Sequence, residues 1–246
     1  MIWDDLARLV ALVDPALIGV HLRILGFLMT LPGYGERLLS VRLRVSVALV
    51  LTPLLAGSVA APVAETGLLA LAGMNLLVGI ANGLLVRLLA MSLSIATSAI
   101  AATASLSQIL GGPSEAAPHP IGNFFHLAGL AMLMAMGFPI FAADLMVQSF
   151  ELWPLDRVVS AQTMGESGAA LVVRSFTLAM LLASPFILGG LLYQSLAGVV
   201  SRVMPSLPIA LIGAPASILL ALIALAVLGP AILGVWSDRI FDYGLP

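Results

Sequence analysis

The sequence predicts an all-α, polytopic membrane protein with about six long hydrophobic helices. Of its 246 residues, 61% are hydrophobic and only 9% are charged, whereas a typical soluble domain is roughly 25% charged. A surface with so few charges has to face lipid or other protein. The net charge of −2 gives no reason to expect nucleic acid as a partner.

Long uncharged runs are the second observation. A helix that crosses a bilayer needs about 20 apolar residues, and each run reaches that length. The runs are apolar on every face, which favours helices over the alternating strands of a closed barrel. They cover residues 45–64, 66–86, 88–114, 116–143, 175–201 and 203–237.

The predicted helices follow these runs in order. Asp14 followed by Pro15 is typical of a helix start. A third helix from Leu68 to Leu110 would be on the order of 65 Å long at 1.5 Å rise per residue, so we expect it to be kinked, broken or projecting beyond the membrane. The six predicted helices span residues 14–31, 45–60, 68–110, 121–150, 170–200 and 209–236.

Three prolines are predicted to break the later helices. Pro185 lies in the middle of the fifth helix, and Pro215 and Pro230 lie in the sixth. Proline removes a backbone donor, and a freed carbonyl at membrane depth has to be buried in protein or face a polar cavity. The prolines therefore favour a transporter-like or channel-like assembly over a simple anchor.

Ionisable residues within or beside the apolar segments are the candidate functional or interface residues. A charge in lipid is costly unless it is paired or hydrated, so such residues usually mark a site or a contact. Asp144 fits a salt bridge to a neighbouring helix or subunit, which we favour, or a proton relay. The candidates are Arg23, Arg87, Asp144, Arg174 and Arg202.

One face of the third helix carries small and weakly polar residues at spacings of three or four. Close helix packing is the favoured interpretation, and the alternative is a face that lines a water-filled path. The stripe begins with Asn75, Gly79, Asn82 and Gly83 and continues through Ser94, Thr97 and Ser98.

Catalytic motifs are not visible in the sequence. His119 and His126 have no carboxylate at helical spacing, and the chain contains no Cys, which excludes disulfides and Cys-ligated metal sites. Neither a nucleophile elbow nor a Walker phosphate loop occurs. We therefore expect no enzymatic activity, no metal site and no cofactor.

Several stretches resemble the FliR/SctT family of type III export-gate proteins. Their order and spacing cover nearly the whole chain. They are RILGFLMTLPG at 23–33 with VRLR at 41–44, MGFP at 136–139 with SF at 149–150 and WP at 153–154, and ASPF at 183–186 with SRVMPSLP at 201–208.

The resemblance implies a subunit of the flagellar type III export gate, located in the bacterial inner membrane at the flagellar basal body and projecting on the periplasmic side. Subunits of this kind join FliP-like and FliQ-like partners in a larger helical hetero-oligomer around a narrow pore. FlhB-like and FlhA-like export proteins work beside them, and unfolded flagellar proteins pass through the pore.

The resemblance also implies two portions of the chain. Residues 1–168 would form a FliP-like helical portion with a central plug-like loop at 105–122, and residues 169–246 would form a FliQ-like hairpin. The Gly, Pro and Ser content of the loop is typical of a segment without regular structure. The plug or constriction residues would be Gly111, Gly112, Pro113, Pro118 and Pro120.

Other functions stay open at this point. An injectisome subunit of the SctT type would share the same features. A secondary transporter or channel for a small solute would show paired halves with matching broken helices and a midplane charge, and Asp144 keeps that alternative open. An intramembrane hydrolase would need a nucleophile or a metal set.

Deletion of residues 111–120 tests the plug-like loop. Without a plug, the closed gate is expected to leak small ions, because nothing else in the sequence marks a seal in this segment. The measurement is single-channel conductance of the assembled gate in planar bilayers. An unchanged conductance would contradict the plug assignment.

Overall fold

The computed structural model describes residues 14–36, 39–57, 67–103, 120–155, 160–204 and 209–245. These residues form seven helices and no strand, so the all-α prediction is confirmed. The helices are α1 (Pro15–Thr30), α2 (Val41–Ala56), α3 (Leu68–Thr103), α4 (Pro120–Ala135), α5 (Phe138–Leu152), α6 (Ala161–Val203) and α7 (Ile209–Phe241).

Membrane-spanning helices are present, as predicted. Among the described residues, three helical stretches are long and apolar enough to cross a bilayer, and α4 with α5 makes a fourth if this bent pair counts as one span. The three stretches are Leu68–Ala102, Gln162–Val203 and Pro215–Phe241.

The predicted single helix at 121–150 is wrong, because α4 and α5 are separate helices. Gly137 between them has a φ of 91°, a left-handed conformation that glycine adopts without a side-chain clash. Pro139 follows in the first turn of α5, where its missing N–H has no helical partner to lose. The segment is apolar throughout, so hydropathy alone does not reveal the break.

The predicted breaks at prolines do not end the helices. Pro185 lies inside α6, and Pro215 and Pro230 lie inside α7. Pro185 cannot donate to the carbonyl of Leu181, four residues earlier. The Ser184 hydroxyl donates to that carbonyl instead, at 2.8 Å. A neighbouring hydroxyl is one of the means by which apolar helices tolerate proline.

The described residues cover only part of the predicted third helix. α3 has 36 described residues, and the remainder of the predicted 68–110 helix lies outside the described residues. So do the predicted plug residues Gly111, Gly112, Pro113 and Pro118, whereas Pro120 begins α4. The longest described helix is α6, with 43 residues, which corresponds to about 65 Å.

The chain divides into two compact units that combine distant segments. Unit 1 comprises Met1–Leu88, Gly137–Leu171 and Tyr243–Pro246, and unit 2 comprises Leu89–Met136 and Val172–Asp242. Both units take residues from either side of position 168, so they do not follow the two portions that the family resemblance implies. Those portions stay a prediction.

Within unit 1, glycines let α1 and α3 approach closely. A Cβ on Gly26 would lie 2.6 Å from the Leu76 carbonyl oxygen, and a Cβ on Gly79 would overlap the Arg23 carbonyl oxygen. The Thr30 hydroxyl lies 3.1 Å from the carbonyl oxygen of Ile80. This is the close packing that small residues at spacings of four predict for this part of α3.

Within unit 2, Trp236 of α7 packs against α3 and α4. Its indole nitrogen donates to the Ala90 carbonyl oxygen at 3.3 Å. A Cβ on Gly129 of α4 would lie 2.9 Å from the Trp236 ring, so only glycine fits against it without a shift. α6 and α7 run antiparallel. Phe186 of α6 lines one cavity with Leu228 of α7, and Arg174, earlier in α6, lines another with Arg239, later in α7.

Gly79→Ala is expected to destabilise the chain by about 1–3 kcal/mol, because the added methyl group forces two helix backbones apart. Gly73→Ala on the same helix is the matched control, since a Cβ there meets nothing within 4 Å and alanine is the better helix former. Thermal unfolding in detergent, followed by circular dichroism, measures both. Equal unfolding temperatures for the two variants would contradict the packing.

Candidate functional site

Arg23 is the most deeply buried charged residue described, and it lies in unit 1. Its side chain is 1% exposed, although a charged group without compensation in an apolar interior is strongly destabilising. α1 places it on the face that packs against α3. No carboxylate contacts its guanidinium within the ranges that the structure describes, so neutral groups have to compensate its charge.

Oxygen acceptors from α3 and from the end of α5 provide that compensation. Arg23 Nε and Nη2 both donate to Asn75 Oδ1, at 2.9 and 2.5 Å. Its Nη1 donates to the carbonyl oxygens of Ser149, at 3.0 Å, and Trp153, at 2.6 Å. The guanidinium carbon also lies 4.6 Å from the centroid of the Phe150 ring, within cation–π range.

The C-terminal end of α5 suits a cation for a further reason. The last carbonyl groups of a helix lack helical donors, and they carry the negative end of the helix dipole. Arg23 therefore binds where α5 presents partial negative charge. A guanidinium does this well because its planar donors reach several oxygens at once.

Two asparagines of α3 extend this cluster. Asn75 Nδ2 donates to the carbonyl oxygens of Leu71, at 2.8 Å, and Leu155, at 3.1 Å. Asn82 Nδ2 donates to the Ser149 hydroxyl at 2.7 Å. We call the residues Arg23, Asn75, Asn82, Ser149 and Trp153 the Arg23 cluster; it joins α1, α3 and the end of α5.

The loop between α1 and α2 is held by a second arginine. Arg44 Nη2 donates to the carbonyl oxygens of Glu36 and of Leu39, the latter at 2.9 Å. Gly33 in this loop has a φ of 80°, which favours glycine. Burial raises the pKa of the Tyr34 phenol above its ordinary value, so Tyr34 stays neutral.

The other predicted site residues do not join the Arg23 cluster. Arg87 is half-buried on α3, whereas Asp144 on α5 and Arg174 and Arg202 on α6 are exposed. None of these four side chains has an ion-pair partner among the described residues. Their roles as interface charges stay predictions.

The Arg23 cluster has a structural role. Its groups are hydrogen-bond donors and acceptors that mostly satisfy one another, although Asn82 Oδ1 is buried without a partner. Elsewhere in the described chain, no three His, Cys, Asp or Glu side chains come together as metal ligands would. The cluster therefore fixes three helices in place.

The sequence points to each member of this cluster but not to their association. Arg23 is a charged residue in an apolar segment, Asn75 and Asn82 belong to the small-residue stripe of α3, and Ser149 and Trp153 belong to motifs that resemble the family. Ser149 is 126 positions from Arg23 along the chain. Only the resemblance, in which both stretches occur together, gave a signal that connects them.

Comparison with known proteins identifies the family of this chain. The family described as "Bacterial export proteins, family 1" matches residues 15–243. The chain belongs to this family. The flagellar biosynthetic protein FliR of Caulobacter vibrioides is 30% identical over 228 residues, covering 89% of this chain and 90% of that protein. FliR of Aquifex aeolicus is 28% identical over 228 residues, covering 91% and 88%.

Membership of this export family confirms the predicted function of a type III export-gate subunit. The chain is a membrane-embedded component of the flagellar export apparatus. The similarity extends over almost the full length, so the Arg23 cluster and the long helices α6 and α7 all lie within the matched region.

Arg23→Gln is expected to destabilise the chain by about 2–4 kcal/mol, because each buried acceptor left without a donor costs about 1–3 kcal/mol. Arg23→Lys should recover only part of this, since lysine lacks the planar fork. Thermal unfolding in detergent is the measurement.

The matched control is Arg42→Gln, because Arg42 is exposed on α2 of the same unit. A surface change of this kind usually shifts stability by no more than about 0.5 kcal/mol. If Arg23→Gln unfolded at the temperature of Arg42→Gln, the cluster would have no stabilising role.

Proposed function

We propose that this chain is the FliR-like subunit of a helical hetero-oligomer with FliP-like and FliQ-like subunits, which together form the pore of the export gate. Unfolded flagellar proteins pass through that pore, and FlhB-like and FlhA-like proteins act beside it. In this proposal the gate lies in the bacterial inner membrane at the flagellar basal body and projects on the periplasmic side. The chain supplies wall and constriction, and it carries out no bond chemistry.

The exposed apolar surface of α6 is the observation that carries this proposal. Large hydrophobic side chains are exposed along this helix from Val172 to Met204, a distance of about 50 Å at 1.5 Å per residue. The hydrocarbon core of a bilayer is only about 30 Å thick. Lipid therefore covers part of this surface at most, and protein is needed for the rest.

α7 supports the same conclusion. Only 11% of its most apolar window, within Pro215–Phe241, is buried inside the chain. Exposed side chains include Leu219, Ile223 and Val227, which face outwards along one side of the helix. An apolar surface of this extent, continuous over two helices, is typical of a helix-to-helix interface with other subunits.

A solute transporter is the weaker alternative. It would need a charged site at the midplane, formed by matching broken helices of two repeats. The broken pair α4 and α5 has no counterpart among the other described helices, and Asp144 is exposed on α5. A subunit–subunit interface accounts for more of the observed surface.

Co-expression with candidate FliP-like and FliQ-like subunits tests the proposal. We expect a stable complex that survives detergent extraction and size-exclusion chromatography, because the α6 and α7 surfaces need protein cover. An unrelated polytopic protein with the same affinity tag is the control. A lone monomer that moves a small solute into liposomes would refute the proposal and favour the transporter.

A further inference from the structure

Two arginines of unit 2 converge on one cavity at the end of the α6–α7 hairpin. Arg174 of α6 and Arg239 in the last turn of α7 line a cavity of about 260 Å³, together with Leu89, Thr177, Leu178 and Leu181. Cationic and apolar groups thus share one wall. The combination differs from the Arg23 cluster, where the cation is enclosed and fully bonded.

The structure describes no partner for either guanidinium group. Neither Arg174 nor Arg239 forms a hydrogen bond or an ion pair with any side chain that the structure describes. Asp238 and Asp242 lie near the end of α7, but neither lines the cavity and neither pairs with an arginine. The Thr177 hydroxyl already donates to the Val173 carbonyl oxygen. The cavity therefore carries two positive charges that no carboxylate among the described residues balances.

Both arginines also flank long uncharged runs of the sequence. Arg174 directly precedes the uncharged run 175–201, and Arg239 follows the uncharged run 203–237 after Asp238. Because α6 and α7 run antiparallel, these two ends of the uncharged runs lie together. Charged residues that end an apolar helical run are typical of the bilayer surface, where basic pockets between helices bind anionic headgroups.

We propose that Arg174 and Arg239 bind the phosphate of an anionic phospholipid, whose acyl chain lies along Leu178 and Leu181. Leu178 is buried, whereas Leu181 is 59% exposed on the same side of α6, so the apolar wall continues from the cavity into the lipid-facing surface. Guanidinium groups donate to phosphate oxygens in pairs of parallel hydrogen bonds. The proposal goes beyond the role in export, since it concerns how the hairpin is anchored in its bilayer.

Native mass spectrometry of the full chain, purified with its partner subunits, tests this site. The probes are phosphatidylglycerol, phosphatidylcholine and inorganic phosphate. We expect phosphatidylglycerol to be retained in preference to phosphatidylcholine. Arg174→Gln and Arg239→Gln should each weaken that retention about fivefold, and the double variant about 25-fold, from the attraction expected per basic residue.

Arg202→Gln is the matched control, because it removes the same charge at the opposite end of α6, where Arg202 is exposed. Its phosphatidylglycerol retention should be unchanged. Arg174→Lys with Arg239→Lys keeps the charge, and we expect it to retain most of the lipid, which separates lipid binding from misfolding of the glutamine variants.

Four results would overturn the proposal. The first is full retention of phosphatidylglycerol by the double glutamine variant, and the second is an equal loss of lipid from Arg202→Gln. The third is displacement of the lipid by inorganic phosphate at equal concentration, which would make the cavity a simple anion site. The fourth is loss of a partner subunit with lipid retained, which would assign the arginines to a carboxylate of that subunit.

Discussion

Burial of the Arg23 guanidinium, with no carboxylate partner among the described residues, is the constraint on which unit 1 depends. The charge is tolerated only because Asn75 of α3 and the carbonyl groups of Ser149 and Trp153 at the end of α5 supply oxygen acceptors. Removing one member of such a network leaves a buried group unpaired, which costs more than the bond itself contributes. The position of α1, the register of α3 and the end of α5 are therefore fixed together.

Glycine packing and the Arg23 cluster reinforce one another. Gly79 allows the backbone of α3 to touch that of α1 at Arg23, and this close approach brings Asn75 within reach of the guanidinium. Gly19 also packs against this residue, since a Cβ there would lie in van der Waals contact, 3.4 Å from the Asn75 side chain. The hydrogen bonds of Arg23 and the close glycine contacts therefore favour the same relative position of α1 and α3. This combination is typical of helix packing in membranes.

The α6–α7 hairpin follows a different principle. Less than half of the most apolar window of each helix is buried within the chain, 39% in α6 and 11% in α7, so other molecules have to cover the rest. Partner helices and lipid are the two sources of apolar cover, and a helix of about 65 Å is too long for lipid alone. Arg174 and Arg239 then have a defined position at one end of the apolar zone, where anionic groups are available.

The fold class, the membrane environment and the family can be predicted from composition, uncharged runs and motif order, because these are local or additive properties of the sequence. It also placed most helix starts within a few residues, since caps such as Asp14 are local signals. The break at Gly137, the continuity of α6 through Pro185 and the association of Arg23 with Ser149 were decided only by tertiary structure. Each of these depends on one dihedral angle, one hydroxyl or one long-range contact, and no window of sequence contains the group that satisfies a buried charge from a distant helix.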